Sequence, residues 1–312
     1  MKIAYLGSPE FVVPPLEVLL KAGAEVVCYI SQPARQSGRG KVLTDPPLVQ
    51  FARSKGLTVF QPENINDPAF LEKFSQMGVD VAITASYGQL LSRAFLAIPR
   101  RATINIHPSL LPKYRGATPV PSALLDGLSE TGVTILFTVF RMDAGNIILQ
   151  ERTPIGLEET AELLTSRLFT VGGNILPKAI KMLEDPSFVG TPQEEDAVTH
   201  CRKLKKELGL IAWDQNARGI YNTYRAYFPW PGSYTHLGER RTVITAMGLH
   251  AEAGPSLKPG QFWYNRKARK IIVATKSGLL ELISLKPEGG KEVSAESFWN
   301  GLKLVGEVGE FR

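Results

Sequence analysis

Residues 2–6, KIAYL, form an apolar run with the length of a buried strand, and a glycine, a serine and a proline follow it directly. Similar runs alternate along the chain with stretches whose apolar spacing fits a helix. The strand-like runs lie at residues 25–30, 80–84 and 102–106, and the helix-compatible stretches at 15–22 and 68–77. Strands that alternate with helices build a mainly parallel sheet. The sequence therefore predicts a doubly wound α/β domain at the start of the chain.

Two further features complete this domain. Extended runs at residues 133–141 and 147–154 flank the turn-prone residues 143–146, and residues 160–184 have the spacing of one long helix. We expect this helix to end the first domain, residues 1–189.

Short strand-like pieces fill the chain from residue 220 onward, and proline- and glycine-rich turns such as 229–232 break them. This spacing is typical of a small, mostly β domain. The sequence therefore predicts a first domain at residues 1–189, a linker at 190–206 and a second domain at 207–312.

The net charge of +6, from 36 Lys and Arg against 30 Asp and Glu, lies mostly in the second domain. Residues 207–312 hold 14 basic and 10 acidic side chains, and Arg266, Lys267, Arg269 and Lys270 cluster between two strand-like runs. Such a cluster can bind a nucleic-acid backbone. It can equally be a solvated hairpin edge that charge protects from pairing.

Composition excludes several classes of protein. A hydrophobic content of 44% and a charged content of 21% are typical of a globular chain. We find neither a signal peptide nor an apolar stretch approaching the roughly 18 residues that span a bilayer. Cys28 and Cys201 cannot form a framework of several disulfides and belong to no closely spaced set of metal ligands. We therefore expect a protein of the reducing cytoplasm that holds no metal and binds no membrane.

The loop after the first strand, residues 7–9, argues against a nucleotide cofactor. A dinucleotide-binding fold places several glycines here, so that the backbone can approach a pyrophosphate. In this chain Pro9 and the bulky Phe11 occupy the loop. The doubly wound fold is therefore predicted without a nucleotide.

Asn105 and His107 are the strongest candidates for chemistry. They stand two residues apart at the carboxyl end of a predicted strand, so both side chains project to one face at the edge where such folds bind ligands. Asp143, in the later turn, could orient the imidazole or favour its charged form. The alternative is that Asn105 and His107 cap the strand end and that Asp143 only starts a turn.

Other catalytic classes find no support in the sequence. No serine or cysteine lies in a nucleophile-elbow pattern, and no histidine pair has metal-ligand spacing. The remaining chemistry is a transfer in which the substrate brings its own nucleophile and the protein positions it and stabilises charge.

Five separated segments resemble the folate-dependent formyltransferases. The core segment, residues 105–117 (NIHPSLLPKYRGA), is similar to the motif of the whole superfamily. Residues 3–11 (IAYLGSPEF) and 32–41 (QPARQSGRGK) are similar to the tRNA-acting branch in particular. Residues 225–232 (RAYFPWPG) and 285–291 (LKPEGGK) match further family signatures. The segments occur in the family's order, which a chance match would not reproduce, and together they extend the resemblance over nearly the whole chain.

The resemblance implies a Rossmann-like, mainly parallel sheet domain followed by a smaller OB-like β-barrel domain. It implies transfer of a formyl group from 10-formyltetrahydrofolate to the α-amine of initiator methionyl-tRNA. Asn105, His107 and Asp143 are then the catalytic group, with Asn105 and a protonated His107 stabilising the negative formyl oxygen. No obligatory protein partner is expected.

The resemblance also assigns the binding residues. The folate is expected at Ser109, Leu110, Leu111 and Pro112. The tRNA is expected at Arg39 and Lys41 in the first domain, and the basic cluster of the second domain, Arg266, Lys267, Arg269 and Lys270, is expected to bind it as well.

Two other functions fit parts of the sequence. A formyltransferase acting on an amino sugar nucleotide shares the core motif and a similar second domain, but would not need the Arg39 loop. A noncatalytic tRNA-binding module would explain the charge and leave Asn105, His107 and Asp143 without a task. A third candidate, a glycinamide ribonucleotide formyltransferase, fits less well, because that family lacks a comparable second domain.

Overall fold

The computed structural model describes residues 1–37, 42–201, 203–302 and 308–312. The chain packs as two compact units, each with its own hydrophobic core. The first unit comprises Met1–Pro119, Glu130–Pro154 and Thr165–Cys201, and the second comprises Val120–Ser129, Ile155–Leu164 and Arg202–Arg312.

The first unit is built on a mainly parallel sheet. Its described strands are β1 (Lys2–Gly7), β2 (Glu25–Ile30), β3 (Arg35–Ser37), β4 (Val42–Thr44), β5 (Thr58–Phe60), β6 (Val81–Ala85), β7 (Ala102–His107), β8 (Glu130–Phe137) and β9 (Ile147–Pro154). Seven of them form one sheet in the order β5-β2-β1-β6-β7-β8-β9, and β3 pairs with β4 separately. The first five strands in that order are parallel, whereas β8 is antiparallel to both of its neighbours, β7 and β9. The predicted sheet is confirmed.

Helices cover both faces of this sheet. Up to residue 182 they are α1 (Val13–Lys21), α2 (Pro47–Ser54), α3 (Pro68–Ser75), α4 (Arg93–Leu96), α5 (Pro119–Leu125) and α6 (Ala161–Met182). Successive side chains of β1 point to opposite faces. Ile3 and Tyr5 therefore pack in a core with residues of α1, whereas Ala4 and Leu6 pack in another with residues of α3. Burial on both faces explains why β1 is an almost uninterrupted apolar run.

The second unit is a curled antiparallel sheet. Its described elements are α7 (Ala217–Tyr227), β10 (Ser233–Leu237), β11 (Arg240–His250), β12 (Gln261–Asn265), β13 (Lys270–Ala274), β14 (Leu279–Pro287), β15 (Val293–Ser294), α8 (Ala295–Gly301) and β16 (Val308–Glu310). The strand order is β10-β11-β14-β13-β12-β16, with β15 on β14. Backbone hydrogen bonds of 2.8 Å in both directions between His236 and Arg312 bring the two edges of the sheet together. The smaller OB-like domain is confirmed.

Two segments from the first 189 residues belong to the second unit by packing. Arg225 of α7, which is 4% exposed, explains how the later one is held. Its Nη1 donates to the carbonyls of Gly156 and Glu159 at 3.0 and 3.4 Å, and its Nη2 donates to Asn222 at 2.7 Å. The single boundary predicted along the chain placed both segments in the first domain, residues 1–189. By packing they belong to the second unit.

No helix within residues 1–37, 42–201, 203–302 and 308–312 is both long and apolar enough to cross a membrane.

Candidate active site

Asn105 and His107 lie at the carboxyl end of β7, beside the end of β6. The parallel register places Asn105 opposite Thr84. The Thr84 hydroxyl lies 2.9 Å from Asn105 Oδ1 and 3.1 Å from the Ile104 carbonyl, and the amide oxygen is the nearer of these two acceptors for its one hydrogen. This contact turns the oxygen of the amide toward β6. The Nδ2 group then faces away from Thr84 and makes no hydrogen bond to a described residue.

His107 is buried, with 4% of its surface exposed, and an acceptor lies near each ring nitrogen. Nε2 is 3.0 Å from the carbonyl oxygen of Tyr114. Because a carbonyl only accepts, this nitrogen carries a hydrogen. Nδ1 is 3.7 Å from Oδ1 of Asp143, which is an electrostatic contact rather than a hydrogen bond.

Burial determines the charge of this ring. It lowers the pKa of His107 below its usual value, although the Asp143 carboxylate and the Tyr114 carbonyl both act to raise that pKa. The resting ring is therefore neutral near pH 7. This differs from the protonated ring that the sequence predicted, because desolvation of the charged form outweighs the attraction of Asp143.

Asp143 is held in an unusual backbone conformation. Its φ is 51°, in the left-handed region that few residues other than glycine adopt. Its Oδ2 accepts a hydrogen bond of 2.8 Å from the amide of Gly116, which itself has φ 120°. Gly116 lies two residues after Tyr114, whose carbonyl meets His107. Residues 114–116 therefore touch both candidate catalytic side chains and fix their separation.

The predicted folate segment forms a tightly bonded loop after β7. Ser109 is fully buried, and its hydroxyl donates to the carbonyl of Lys113 at 2.8 Å. The Thr134 hydroxyl donates to the carbonyl of Ser109 at 2.6 Å and accepts from the amide of Leu111 at 3.1 Å. Gln150 Nε2 donates to the Leu111 carbonyl at 2.9 Å. These bonds fix the main chain of the loop, and the Ser109 side chain points inward.

The predicted tRNA-binding residues fall into three groups. Arg39 and Lys41 lie outside the described residues. Arg269 forms an ion pair of 3.1 Å with Glu296, and Lys270 forms one with Glu281. Arg266 and Lys267, at the exposed turn between β12 and β13, form no ion pair with a residue in the described part of the chain. The structure therefore separates four residues that the sequence treated alike.

Several residues of the site were missed by sequence reasoning. Tyr114 and Gly116 lie inside the core segment 105–117, and the alternation along β6 could have indicated Thr84. Nothing in the sequence indicated Gln193, which contacts the backbone of Asp143 from 50 positions away. Among the described residues, no group of three or more His, Cys, Asp or Glu side chains could hold a metal ion.

Both units match models of one protein class. Residues 1–180 match the family described as formyl transferase, and residues 203–303 match the formyl transferase C-terminal domain. The methionyl-tRNA formyltransferase of Thermodesulfovibrio yellowstonii is 36% identical over 303 residues, covering 97% of this chain and 96% of that protein. The enzyme of the same name from Syntrophus aciditrophicus is 37% identical, covering 97% of each chain. The chain therefore belongs to the formyl transferase family, in the branch of the methionyl-tRNA formyltransferases.

Solved structures share the fold at lower identity. HypX from Aquifex aeolicus, in complex with tetrahydrofolic acid, has a TM-score of 0.67 at 16% identity, covering 96% of this chain and 46% of its own. This chain thus spans less than half the length of HypX. WlaRD, a sugar 3N-formyl transferase crystallised in the presence of dTDP and 5-N-formyl-THF, has a TM-score of 0.67 at 19% identity, covering 90% of this chain and 97% of its own.

Proposed function

We propose that the protein transfers the formyl group of 10-formyltetrahydrofolate to the α-amine of methionine esterified to initiator tRNA. The product would be formylmethionyl-tRNA for translation initiation. The observation that carries the proposal is the buried His107 ring between Asp143 and Tyr114, with the Asn105 amide beside it at the ligand-binding edge of the sheet. It occurs in a chain whose relatives bear the name of this reaction.

The acceptor attacks as the neutral amine, which is present in part near pH 7 because an α-amine titrates near about 8. Attack leaves the amine nitrogen positively charged with one proton more than the product amide keeps, and a neutral His107 is able to accept that proton. Asp143, with Oδ1 3.7 Å from Nδ1, stabilises the charged ring that results. The proton reaches the pair directly or through water. Burial and Asp143 thus act at different stages, since burial keeps the ring neutral at rest and Asp143 favours its charged form during transfer.

Attack on the formyl carbon moves negative charge onto the formyl oxygen. Asn105 suits this oxygen, because Thr84 occupies Oδ1 and leaves the Nδ2 hydrogens to donate. The newly charged His107 adds a positive charge close by. The bond from the formyl carbon to the folate nitrogen then breaks, and the proton held by His107 and Asp143 returns to that nitrogen. A new amide bond to methionine remains.

The folate donor is proposed to bind the loop Ser109, Leu110, Leu111 and Pro112. The Ser109 hydroxyl points inward, because it donates to the Lys113 carbonyl. The pocket would therefore be shaped by the main chain and the two leucines, and not by this hydroxyl. Thr134 and Gln150 support the proposal, since their hydrogen bonds hold the loop in one conformation before the donor arrives.

The tRNA is proposed to contact both units. Arg39 and Lys41 remain predicted contacts near the methionyl ester, so Arg39→Ala should harm formyl transfer more than folate binding. In the second unit Arg266 and Lys267 are better placed than their neighbours to neutralise phosphates, because Glu296 and Glu281 already pair with Arg269 and Lys270.

One experiment tests the acceptor. Single-turnover formyl transfer from 10-formyltetrahydrofolate should be measured with methionyl initiator tRNA, with an amino sugar nucleotide and with no acceptor. We expect transfer to the tRNA alone, and its loss in His107→Ala. Transfer to the sugar nucleotide but not to the tRNA would overturn the proposal and favour the chemistry named for WlaRD, whose fold this chain shares.

A further inference from the structure

Gln193 lies in the segment after α6 that the sequence assigned to a linker, and its side chain is bonded at both ends. Nε2 donates to the carbonyls of Asp143 and Gly145 at 2.8 and 2.7 Å. Oε1 accepts from Nε and Nη2 of Arg115 at 3.1 and 2.8 Å. An amide has two hydrogens and two principal lone pairs, so all four are used.

These partners permit only one orientation of the Gln193 amide. A flipped amide would direct its NH2 group at the Arg115 guanidinium and its oxygen at the carbonyls of Asp143 and Gly145. Both new contacts would be repulsive. The side chain therefore acts as a fixed brace between Arg115 and the turn that carries Asp143.

Arg115 is itself bonded through both its backbone and its side chain. It is 1% exposed, its amide donates to the Thr199 carbonyl at 2.9 Å, and its carbonyl accepts from the amide of Cys201 at 2.8 Å. Nη2 also contacts Glu195 at 3.0 Å. The residue stands between Tyr114, whose carbonyl meets His107, and Gly116, whose amide meets Asp143.

A closed ring of contacts results. The Asp143 carboxylate is bound by the Gly116 amide, and the Asp143 carbonyl is bound by Gln193, which is anchored on the residue preceding Gly116. The turn needs such an anchor because Asp143 has φ 51°. Gly145 also lies so close to β8 that an added Cβ would stand 1.8 Å from the Phe137 carbonyl.

We propose that Gln193 is a positioning residue for formyl transfer, which holds Asp143 at its working distance from His107. This rests on the proposed function of His107 and Asp143. Gln193 touches no reacting atom in this assignment. Its loss should slow the transfer step while leaving both substrates bound as before, because a small misplacement of a catalytic group is costly in rate.

Two substitutions separate positioning from stability. Gln193→Glu keeps an acceptor for Arg115 but replaces both donors with an oxygen that repels the carbonyls of Asp143 and Gly145. Gln193→Met keeps the length of the side chain and removes both sets of bonds. Asn146→Ala is the matched control, since Asn146 lies on the same hairpin and donates to Val189 at 2.8 Å instead.

The first readout is kinetic. We expect kcat to fall about tenfold in Gln193→Glu and Gln193→Met, with the KM for tRNA and for folate within about twofold of wild type. Asn146→Ala should keep the wild-type kcat. If Gln193→Met fails to fold, by thermal unfolding, Gln193→Glu decides the question. A folded Gln193→Glu protein with wild-type kcat overturns the proposal.

The second readout needs no substrate and so remains valid if the proposed reaction is wrong. The pKa of His107 is followed by NMR in protein with labelled histidine, and the His107 signal is assigned by its absence in His107→Ala. The Asp143 carboxylate and the Tyr114 carbonyl face the ring, and Asp143 is the charged side chain that acts on its pKa. We expect a lower His107 pKa in Gln193→Met, because a displaced Asp143 favours the charged ring less. An unchanged pKa in the folded variant contradicts the positioning role.

Discussion

The carboxyl edge of β6 and β7 and the basic turn between β12 and β13 are both expected to meet substrate, yet they are built in opposite ways. At the first, His107 is buried and Asp143 is bound from two directions. At the second, side chains project into solvent, and Arg269 and Lys270 are held only by ion pairs. Bond formation requires fixed positions, whereas phosphate binding requires only charge nearby. Changes at the first region should therefore act on kcat, and changes at the second on salt-dependent affinity.

The largest expected effect is at the buried edge. His107→Ala and Asn105→Ala should each lower the single-turnover rate by about 10²-fold or more, since each removes a group that stabilises the transition state. Affinity for tRNA and the melting temperature should stay near those of the wild type. His200→Ala, which removes an exposed ring from the same unit, is the control and should be silent. A folded His107→Ala protein with the wild-type rate would show that the buried edge of β6 and β7 does not carry the chemistry.

Asp143→Asn should lower kcat about tenfold or more and shift its pH dependence. In the wild type, burial lowers the pKa of His107 and Asp143 acts to raise it. Loss of the charge should lower that pKa further, so the ring stays neutral to lower pH. The acidic limb of the kcat profile should therefore move to lower pH. Both proteins should be measured with the same methionyl-tRNA, so that titration of its amine affects both alike. An unmoved profile with the full rate would leave Asp143 as a turn residue only.

The basic turn offers a test in which one double variant lowers the net charge and its control leaves the net charge unchanged. Arg266→Ala with Lys267→Ala should weaken tRNA binding and flatten the salt dependence, by roughly 0.7 to 0.9 of a slope unit for each phosphate that the variant no longer neutralises. Arg269→Ala with Glu296→Ala removes a whole ion pair and no net charge, so the slope should stay the same. Binding at two or more salt concentrations distinguishes the two. Equal slopes in the two double variants would mean that the turn is only a solvated edge.

The smallest effect is expected at Thr84. Thr84→Val keeps the shape of the side chain but frees Asn105 Oδ1, so the amide is less well oriented and kcat should fall about threefold to tenfold. Thr103→Val is the matched control on β7, because the buried Thr103 hydroxyl has no hydrogen-bond partner among the described residues. It should keep the wild-type rate. Equal rates in Thr84→Val and wild type would show that Asn105 needs no such support.

Local patterns in the sequence predicted much of the fold and the centre of the site. Asn105 and His107 share a face because side chains alternate along a strand, and the carboxyl end of β7 lies at the edge that was expected to bind ligand. The approach of Asp143 to His107 was also predicted, since β8 and β9 form the hairpin that carries it.

The remaining features depend on contacts between distant parts of the chain. Gln193 reaches Asp143 only because residues 190–201 return along the loop that contains Arg115. The neutral state of His107 depends on how completely its ring is buried, and no residue pattern measures that. The pairing of Arg269 with Glu296 likewise joins positions 27 apart in different elements.

The return of residues 120–129 and 155–164 to the second unit has a consequence for chimeric enzymes. A hybrid made by exchanging residues 203–312 between two relatives would inherit α7 from one parent and these two segments from the other. The Nδ2 of Asn222 would lie only 2.9 Å from a Cβ at position 127, where Gly127 has φ +68°. A parent with a bulkier residue at that position would disturb the packing of α7 even if its own catalytic residues were intact. Successful recombination should therefore require residues 120–129 and 155–164 to be exchanged together with residues 203–312. The exchanged unit would then be encoded by three separate stretches of the gene.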